Sequence, residues 1–153
     1  MTKDAIALDD LGLESFVPYL MNRIMGRYNS ALHTEVVALG LTTPKLRALA
    51  VLSVKDGILI RELAVYAVVE QSTLSRALDG LEKDGLIERK ADEDDGRAFH
   101  IFLTDAGRDA HSRLWPHMFE ASEAMFKGVS QEERTALTNT LQKMLRNIRK
   151  HDF

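Results

Sequence analysis

The sequence predicts a mainly α-helical fold with one small β-hairpin, and three observations predict it. Apolar residues recur at intervals of three and four over most of the chain. The period changes to two only between Leu86 and Leu103. Glycine, proline and small hydroxyl residues stand where helices of that length start and stop. The 153 residues suit one compact domain or two small lobes sharing a core. With 45% hydrophobic and 28% charged residues, the composition is that of a globular chain.

Six helices are expected. Residues 1–40 read as one long helix, because Phe16, Leu20, Ile24, Tyr28 and Leu32 recur every fourth position. Val17, Met21 and Met25 widen that stripe, and Gly40 stands where a C-terminal glycine belongs. Thr42-Thr43-Pro44 opens the second helix with a capping hydroxyl and a first-turn proline. Its apolar positions are Leu46, Leu49, Ala50 and Leu52, and it stops near Asp56-Gly57. Ile60 to Ala67 is a short apolar helix. Gln71 to Asp84 is the fourth, with Leu74, Leu78 and Leu81 inward and Gly85 closing it. Its other face carries Gln71, Ser72, Thr73, Ser75, Arg76 and Asp79.

Leu86 to Lys90 and Ala98 to Leu103 then form the hairpin, joined by the acidic loop Ala91–Arg97. Thr104 caps a fifth helix from Asp105 to about Lys127, with Ala106, Ala110, Leu114 and Met118 on its inner face. Pro116 lies inside it, removes one helical hydrogen bond and is expected to kink the axis. Ser130-Gln131-Glu132-Glu133 is a capping box opening the last helix, whose stripe is Leu137, Leu141, Met144, Leu145 and Ile148.

Composition excludes several function classes. The longest apolar run, Ala64 to Val69, has six residues, whereas a membrane span needs about 18. Asp4, Asp9 and Asp10 occupy the place of an export signal's apolar region, so a cytoplasmic protein is expected. The absence of cysteine removes disulfides, thiolate metal sites and thiol redox sensing. The net charge of −3 argues against non-specific coating of nucleic acid. It leaves room for contact through one small face.

The order helix, helix, short helix, polar-faced helix, hairpin is the layout of a winged helix-turn-helix. A B-DNA major groove about 12 Å wide admits one helix, whose exposed side chains reach base edges. Gln71, Ser72, Thr73, Ser75 and Arg76 form such a polar cluster; a merely solvated helix face would look the same.

Residues Leu41 to Arg108 resemble the MarR family of bacterial transcription regulators. The matching pieces are Leu41-Thr42-Thr43-Pro44, Glu62-Leu63-Ala64, Ser72-Thr73-Leu74-Ser75-Arg76 and Leu81-Glu82-Lys83-Asp84-Gly85-Leu86-Ile87-Glu88-Arg89. Asp95-Gly96-Arg97-Ala98 and Leu103-Thr104-Asp105-Ala106-Gly107 follow in the same order and spacing. The resemblance implies an intertwined homodimer whose first and last helices interlock, binding double-stranded DNA. It implies that Arg97 enters a minor groove while Asp95 orders the loop. A lone guanidinium suits a narrow groove of negative potential, although Arg97 could instead only pair with Asp95 to close the hairpin. Asp92, Glu93 and Asp94 would repel phosphate and are expected to point away from DNA or to limit affinity.

Three regions follow: 1–40 with 128–153 for dimerisation, 41–104 for DNA, and 105–127 as the connecting helix. A repressor relieved by a ligand and bound to a palindromic operator is the expectation. The alternative is a dimeric winged-helix interaction protein without useful DNA affinity. The family's effectors are small, often aromatic anions bound between the dimer helices and the DNA lobe. Met21, Met25, Arg27, Tyr28, Trp115 and Phe119 are candidates to line such a pocket, or are plain core. Val68 replaces the glycine common in the family's turn, so that turn needs another geometry or carries strain. Val65 and Tyr66 replace polar residues, and Tyr66 either packs on a neighbour or borders the pocket. His111 and His117 are six apart, which does not place them cleanly on one helix face, so no metal site is expected. No phosphate loop, G-x-S-x-G or H-E-x-x-H motif is present, and neither an enzyme nor a cofactor is expected.

Overall fold

The structure is a computed structural model that describes residues 5–153. Its elements are α1 (Leu8–Leu11), a 3-10 turn (Leu13–Ser15), α2 (Val17–Ala38), α3 (Thr43–Val54), β1 (Ile58–Leu59), α4 (Ile60–Ala67) and α5 (Gln71–Lys83). β2 (Ile87–Ala91), β3 (Phe99–Leu103), α6 (Asp105–Met125) and α7 (Gln131–Ile148) complete the chain. Six of the helices match the expected ones, and α1 adds a single turn.

Residues 5–40 are not one helix, and residues 1–4 of the expected helix, Asp4 among them, lie outside the described residues. Gly12 has φ 79°, Phe16 is extended, and the long helix begins only at Val17, with Pro18 in its first turn. Proline lacks an N–H and fits a first turn, where that donor would have no partner, far better than a helix interior. Pro116, by contrast, sits inside α6 without ending it.

Two helices close on a paired bond made around a left-handed glycine. At the end of α2, Gly40 (φ 70°) donates to the Val37 carbonyl and Leu41 donates to Val36. At the end of α5, Gly85 (φ 73°) donates to Glu82 and Leu86 donates to Leu81. α4 ends with the same pair: Val68 donates to Val65 and Val69 donates to Ala64. There the left-handed residue is Val68 (φ 54°, ψ 53°), the one non-glycine with positive φ among the described residues. The turn therefore keeps the glycine geometry and carries strain, because a β-branched side chain crowds the backbone in that region. Arg47 of α3 donates to the Val68 carbonyl at 3.2 Å and steadies it.

Leu49, Leu52, Leu63, Leu74, Leu78, Leu81, Ile101 and Leu114 have no exposed surface and join α3, α4, α5, β3 and α6 into one core. Leu32 and Val36 bring the C-terminal half of α2 onto it. The sheet is antiparallel in the order β1-β3-β2, with Ile58 and Arg89 both opposite Ile101. β1 has two residues and no periodicity that sequence could reveal; it exists by pairing with β3.

The sheet and α6 meet at one tight joint. Thr104 donates its hydroxyl to the Gly85 carbonyl at 2.6 Å, and its oxygen accepts the Gly107 N–H at 3.1 Å. A Cβ at Gly107 would stand 2.0 Å from the Leu86 carbonyl oxygen. Asp56 accepts the Leu103 N–H at 2.8 Å and pairs with Arg108 at 2.9 Å, tying the end of β3 to the start of α6.

Two substitutions should therefore move stability in opposite directions. Val68→Gly should stabilise by about 0.5–1 kcal/mol, since relief of the left-handed strain exceeds the entropy a glycine loses on folding. Gly107→Ala should destabilise by about 1–3 kcal/mol, because the Leu86 backbone must shift to admit the methyl. Urea denaturation of both variants beside the wild type measures the signs.

Candidate nucleic-acid interface

α5 buries Leu74, Ala77, Leu78 and Leu81, and this row turns Gln71, Ser72, Arg76 and Asp79 toward solvent. Thr73 and Ser75 are half-buried at the edges of the face. Glu70 precedes the helix without a side-chain cap, so the first-turn amides stay free to meet an anion.

The hairpin tip is ordered by its own acids. Asp92 accepts the N–H groups of Asp94 and Asp95 at 2.9 and 3.2 Å. Asp95 accepts the Arg97 N–H at 3.0 Å, and its carbonyl accepts Ala98 N–H at 3.0 Å. These are Asx-type contacts, in which a short carboxylate replaces a backbone turn partner. Arg97 is exposed, and among the described residues its guanidinium has no ion-pair or hydrogen-bond partner. Asp95 thus meets the Arg97 backbone and leaves the side chain free.

Asp92 differs from the other acids of the loop in its surroundings. Its side chain is only 25% exposed and turns inward to His100 Nε2 at 2.7 Å. Its pKa is lowered, first by the hydrogen bond to His100 and then by the amides of Asp94 and Asp95. Glu93 and Asp94 remain exposed.

A cleft of about 370 Å³ separates this tip from α5, and Gln71, Ser75, Asp95 and Arg97 line it together. Ser72, Thr73 and Arg76 lie outside the cleft on the same helix. Arg61, on the first turn of α4, lines it as well. Sequence reasoning missed Arg61, whose signal is only an exposed cation on a short apolar helix. It also missed Arg89 of β2, which pairs with Asp79 at 2.8 Å and reaches the Ser75 carbonyl at 3.5 Å. Arg89 fastens the hairpin to the outward helix.

The family comparisons agree with this geometry. A crystal structure of a MarR-family transcriptional regulator from Silicibacter pomeroyi superposes with a TM-score of 0.92 at 55% identity, covering 97% of this chain and all of the other. The chain belongs to the MarR family. Residues 39–98 match the MarR family's sequence profile, a span from the end of α2 to the end of the hairpin loop. The transcriptional repressor IacR of Pseudomonas putida is 25% identical over 142 residues, 93% of this chain and 85% of that protein. Bordetella bronchiseptica BpsR, whose DNA binding is regulated by 6-hydroxynicotinic acid, shares the fold with a TM-score of 0.73 at 22% identity over 84% of this chain and 97% of its own. Members of the MarR family are transcription regulators, not enzymes.

Among the described residues of this MarR-family chain, three further hollows each lie against α2 or α6. One of about 460 Å³ lies between α2, α3, α4 and α6, lined by Met25, Tyr28, Arg47, Tyr66 and Met118 among others. Burial raises the Tyr28 pKa. Arg27 borders a second hollow, of about 700 Å³, with Arg23 between α2 and α6. Trp115 borders a third against α3, while Met21 and Phe119 border none of the three. Tyr66 lines the first hollow and packs its ring 5.5 Å from Phe153. His111 sits 6.3 Å from the Trp115 ring and burial lowers its pKa; His117 lies 3.8 Å from Glu35. Among the described residues no three potential metal ligands gather, and no single helix is long and apolar enough to cross a membrane.

The Arg89–Asp79 contact predicts an asymmetric pair of variants. Arg89 is 23% exposed and Asp79 is 67% exposed. Arg89→Ala should cost about 1–2 kcal/mol, since packing and the Ser75 contact are lost with the pair. Asp79→Ala should cost less than about 1 kcal/mol, as exposed pairs do. Chemical denaturation of the two variants tests the order.

Proposed function

We propose that this MarR-family regulator is a repressor that binds a palindromic duplex as a homodimer and is released by a small aromatic or anionic effector. One observation carries the DNA reading: the cleft places Gln71 and Ser75 of α5 beside an Arg97 side chain that has no partner among the described residues. α5 enters the major groove, where Gln71, Ser72, Thr73, Ser75 and Arg76 meet bases and phosphates. Arg97 enters the adjacent minor groove, where a lone guanidinium gains most from the narrow groove's potential. Asp95 acts as the brace that presents it. Such a protein works where the DNA is, in the cytoplasm.

Residues 1–40 and 128–153 form the dimer, 41–104 the DNA lobe and 105–127 the connecting helix. Two apolar faces without cover within the protomer support this division. Leu20 and Ile24 are 39% and 49% exposed, and α7 buries no residue at all, with Leu145 and Ile148 at 61% and 78%. Soluble monomers rarely expose so continuous a patch. The hollow between α2, α3, α4 and α6 spans both regions, so an effector there can favour one lobe separation over another. The regulation of BpsR by an aromatic acid supports the ligand class. Arg47 is a cation in that wall suited to a carboxylate.

Selection of bound duplexes from a random pool tests the proposal. Half-sites are expected about 10 base pairs apart. Arg76→Ala should lose about 1–3 kcal/mol per half-site and relax preference at one position. Arg97→Ala should weaken binding and leave the major-groove consensus in place. Equal affinity of both variants and wild type would reject the interface, and no salt-sensitive binding to any duplex would favour the interaction-protein reading, which the exposed Glu93 and Asp94 motivate.

The dimer has its own test. Leu141→Asp combined with Leu145→Asp should yield aggregated or unfolded protein. A well-folded monomer of the wild type at micromolar concentration, seen by sedimentation, would overturn the dimer.

A further inference from the structure

His100 of β3 stands between two groups that only accept hydrogen bonds. Its Nδ1 is 2.8 Å from the Gly57 carbonyl oxygen, and its Nε2 is 2.7 Å from Asp92 Oδ2. A neutral imidazole has one N–H and can serve one of them, leaving a ring lone pair facing an oxygen lone pair at the other. Only the imidazolium donates both ways. We propose that His100 is a positioning residue for DNA binding: as a doubly donating cation it latches the hairpin tip to the sheet, so that the presentation of Arg97 depends on its proton.

The latch reaches Arg97 through a short chain of contacts. Gly57 anchors the ring to the β1 side of the sheet, where its N–H bonds the Ile101 carbonyl at 2.8 Å. The ring holds one oxygen of Asp92; the other oxygen holds the amides of Asp94 and Asp95. Asp95 then holds the Arg97 N–H. Losing the ring's second donor frees either the tip or the Gly57 turn.

The surroundings favour the charged ring. Asp92 faces it from the loop and Glu62 adds negative potential from α4, while β1 contributes only Ile58 and Leu59. Lys90 is its cross-strand partner, but the ammonium lies 4.7 Å from the Phe102 ring centre. The His100 pKa is raised, first by the Asp92 hydrogen bond and then by that of Gly57, with burial opposing. A raised histidine pKa contributes stability that is complete below the free value of about 6.5 and lost as pH climbs through the raised value. Asp92 has a lowered pKa, so its contribution is complete above the ordinary carboxylate range and lost as pH falls through the lowered value. The latch is whole between those two limits.

The effect on DNA rests on the proposed function; the latch in the free protein does not. Side-chain nitrogen NMR of the full chain without DNA, titrated from about pH 5.5 to 9, reads the latch directly. Both His100 nitrogens should carry protons near neutral pH, and amide exchange at Asp94, Asp95 and Arg97, corrected for intrinsic rates, should rise as the ring titrates. In Asp92→Asn the His100 midpoint should fall and the same amides should exchange fast throughout. A single neutral tautomer at neutral pH, or exchange at those amides that ignores the titration, would overturn the latch. With the selected duplex at fixed ionic strength, wild-type affinity should fall about three- to tenfold from about pH 6.5 to 8.5. In His100→Gln that drop should shrink to within about twofold from a weaker starting affinity. Equal slopes in both proteins would overturn the link to DNA, whereas no duplex binding at any pH, with the NMR result as expected, would reject the DNA reading and leave the latch standing.

Discussion

Leu74, Leu78 and Leu81 reach zero exposure together, and their burial against α3 and the sheet constrains most of what the DNA lobe presents. Once those three side chains are inside, the 3.6-residue period leaves no freedom in which residues of α5 face out. Gln71, Ser72 and Arg76 are presented because the leucines are not. The same burial fixes the distance from α5 to β2, and Arg89 spans it to reach Asp79 and the Ser75 carbonyl. The proposed recognition surface and the core are therefore two faces of one packing decision. A polar substitution in the leucine row would disorder the interface without touching it.

The hairpin obeys a different logic. It has little core of its own, with Ile87, Ile101 and Leu103 supplying its buried side, and its tip carries four acids in seven residues. Such a loop would be expected to repel DNA and itself. Two of its carboxylates instead accept backbone N–H groups, and one of those two also meets His100. Charge-assisted bonds to backbone amides stabilise a loop that hydrophobic burial cannot reach. The acidity of the tip is in part its scaffold, and the exposed Arg97 guanidinium stands on it.

Coupling between the lobe and the rest of the chain runs through the joint of Leu86, Thr104, Gly107 and Asp56. Backbone atoms there approach closely enough that only glycine fits at position 107. In the proposed regulation, a joint without slack is what would carry a movement of α6 to the sheet.

The helical order, both caps at Thr42 and Thr104, the Ser130–Glu133 capping box and the leucine rows were legible in the sequence, because they rest on contacts within four residues. The polar face of α5 was legible for the same reason, and the Asp95–Arg97 element through the family resemblance. The early part of the first helix was misread: an apolar stripe persists through Phe16, but Gly12 and Pro18 dictate the backbone locally and outweigh it. Tertiary structure alone decided β1, which forms only when β3 lies beside it, and it settled that the turn at Val68 keeps the left-handed geometry, held by backbone bonds to Ala64 and Val65 and by the Arg47 bond to the Val68 carbonyl. It alone brought Asp56 to Leu103, Arg89 to Ser75 and His100 to both Gly57 and Asp92, partners separated by 47, 14, 43 and 8 residues. Periodicity reports which face a residue occupies, and contacts across such separations depend on how whole elements dock, which no local pattern encodes.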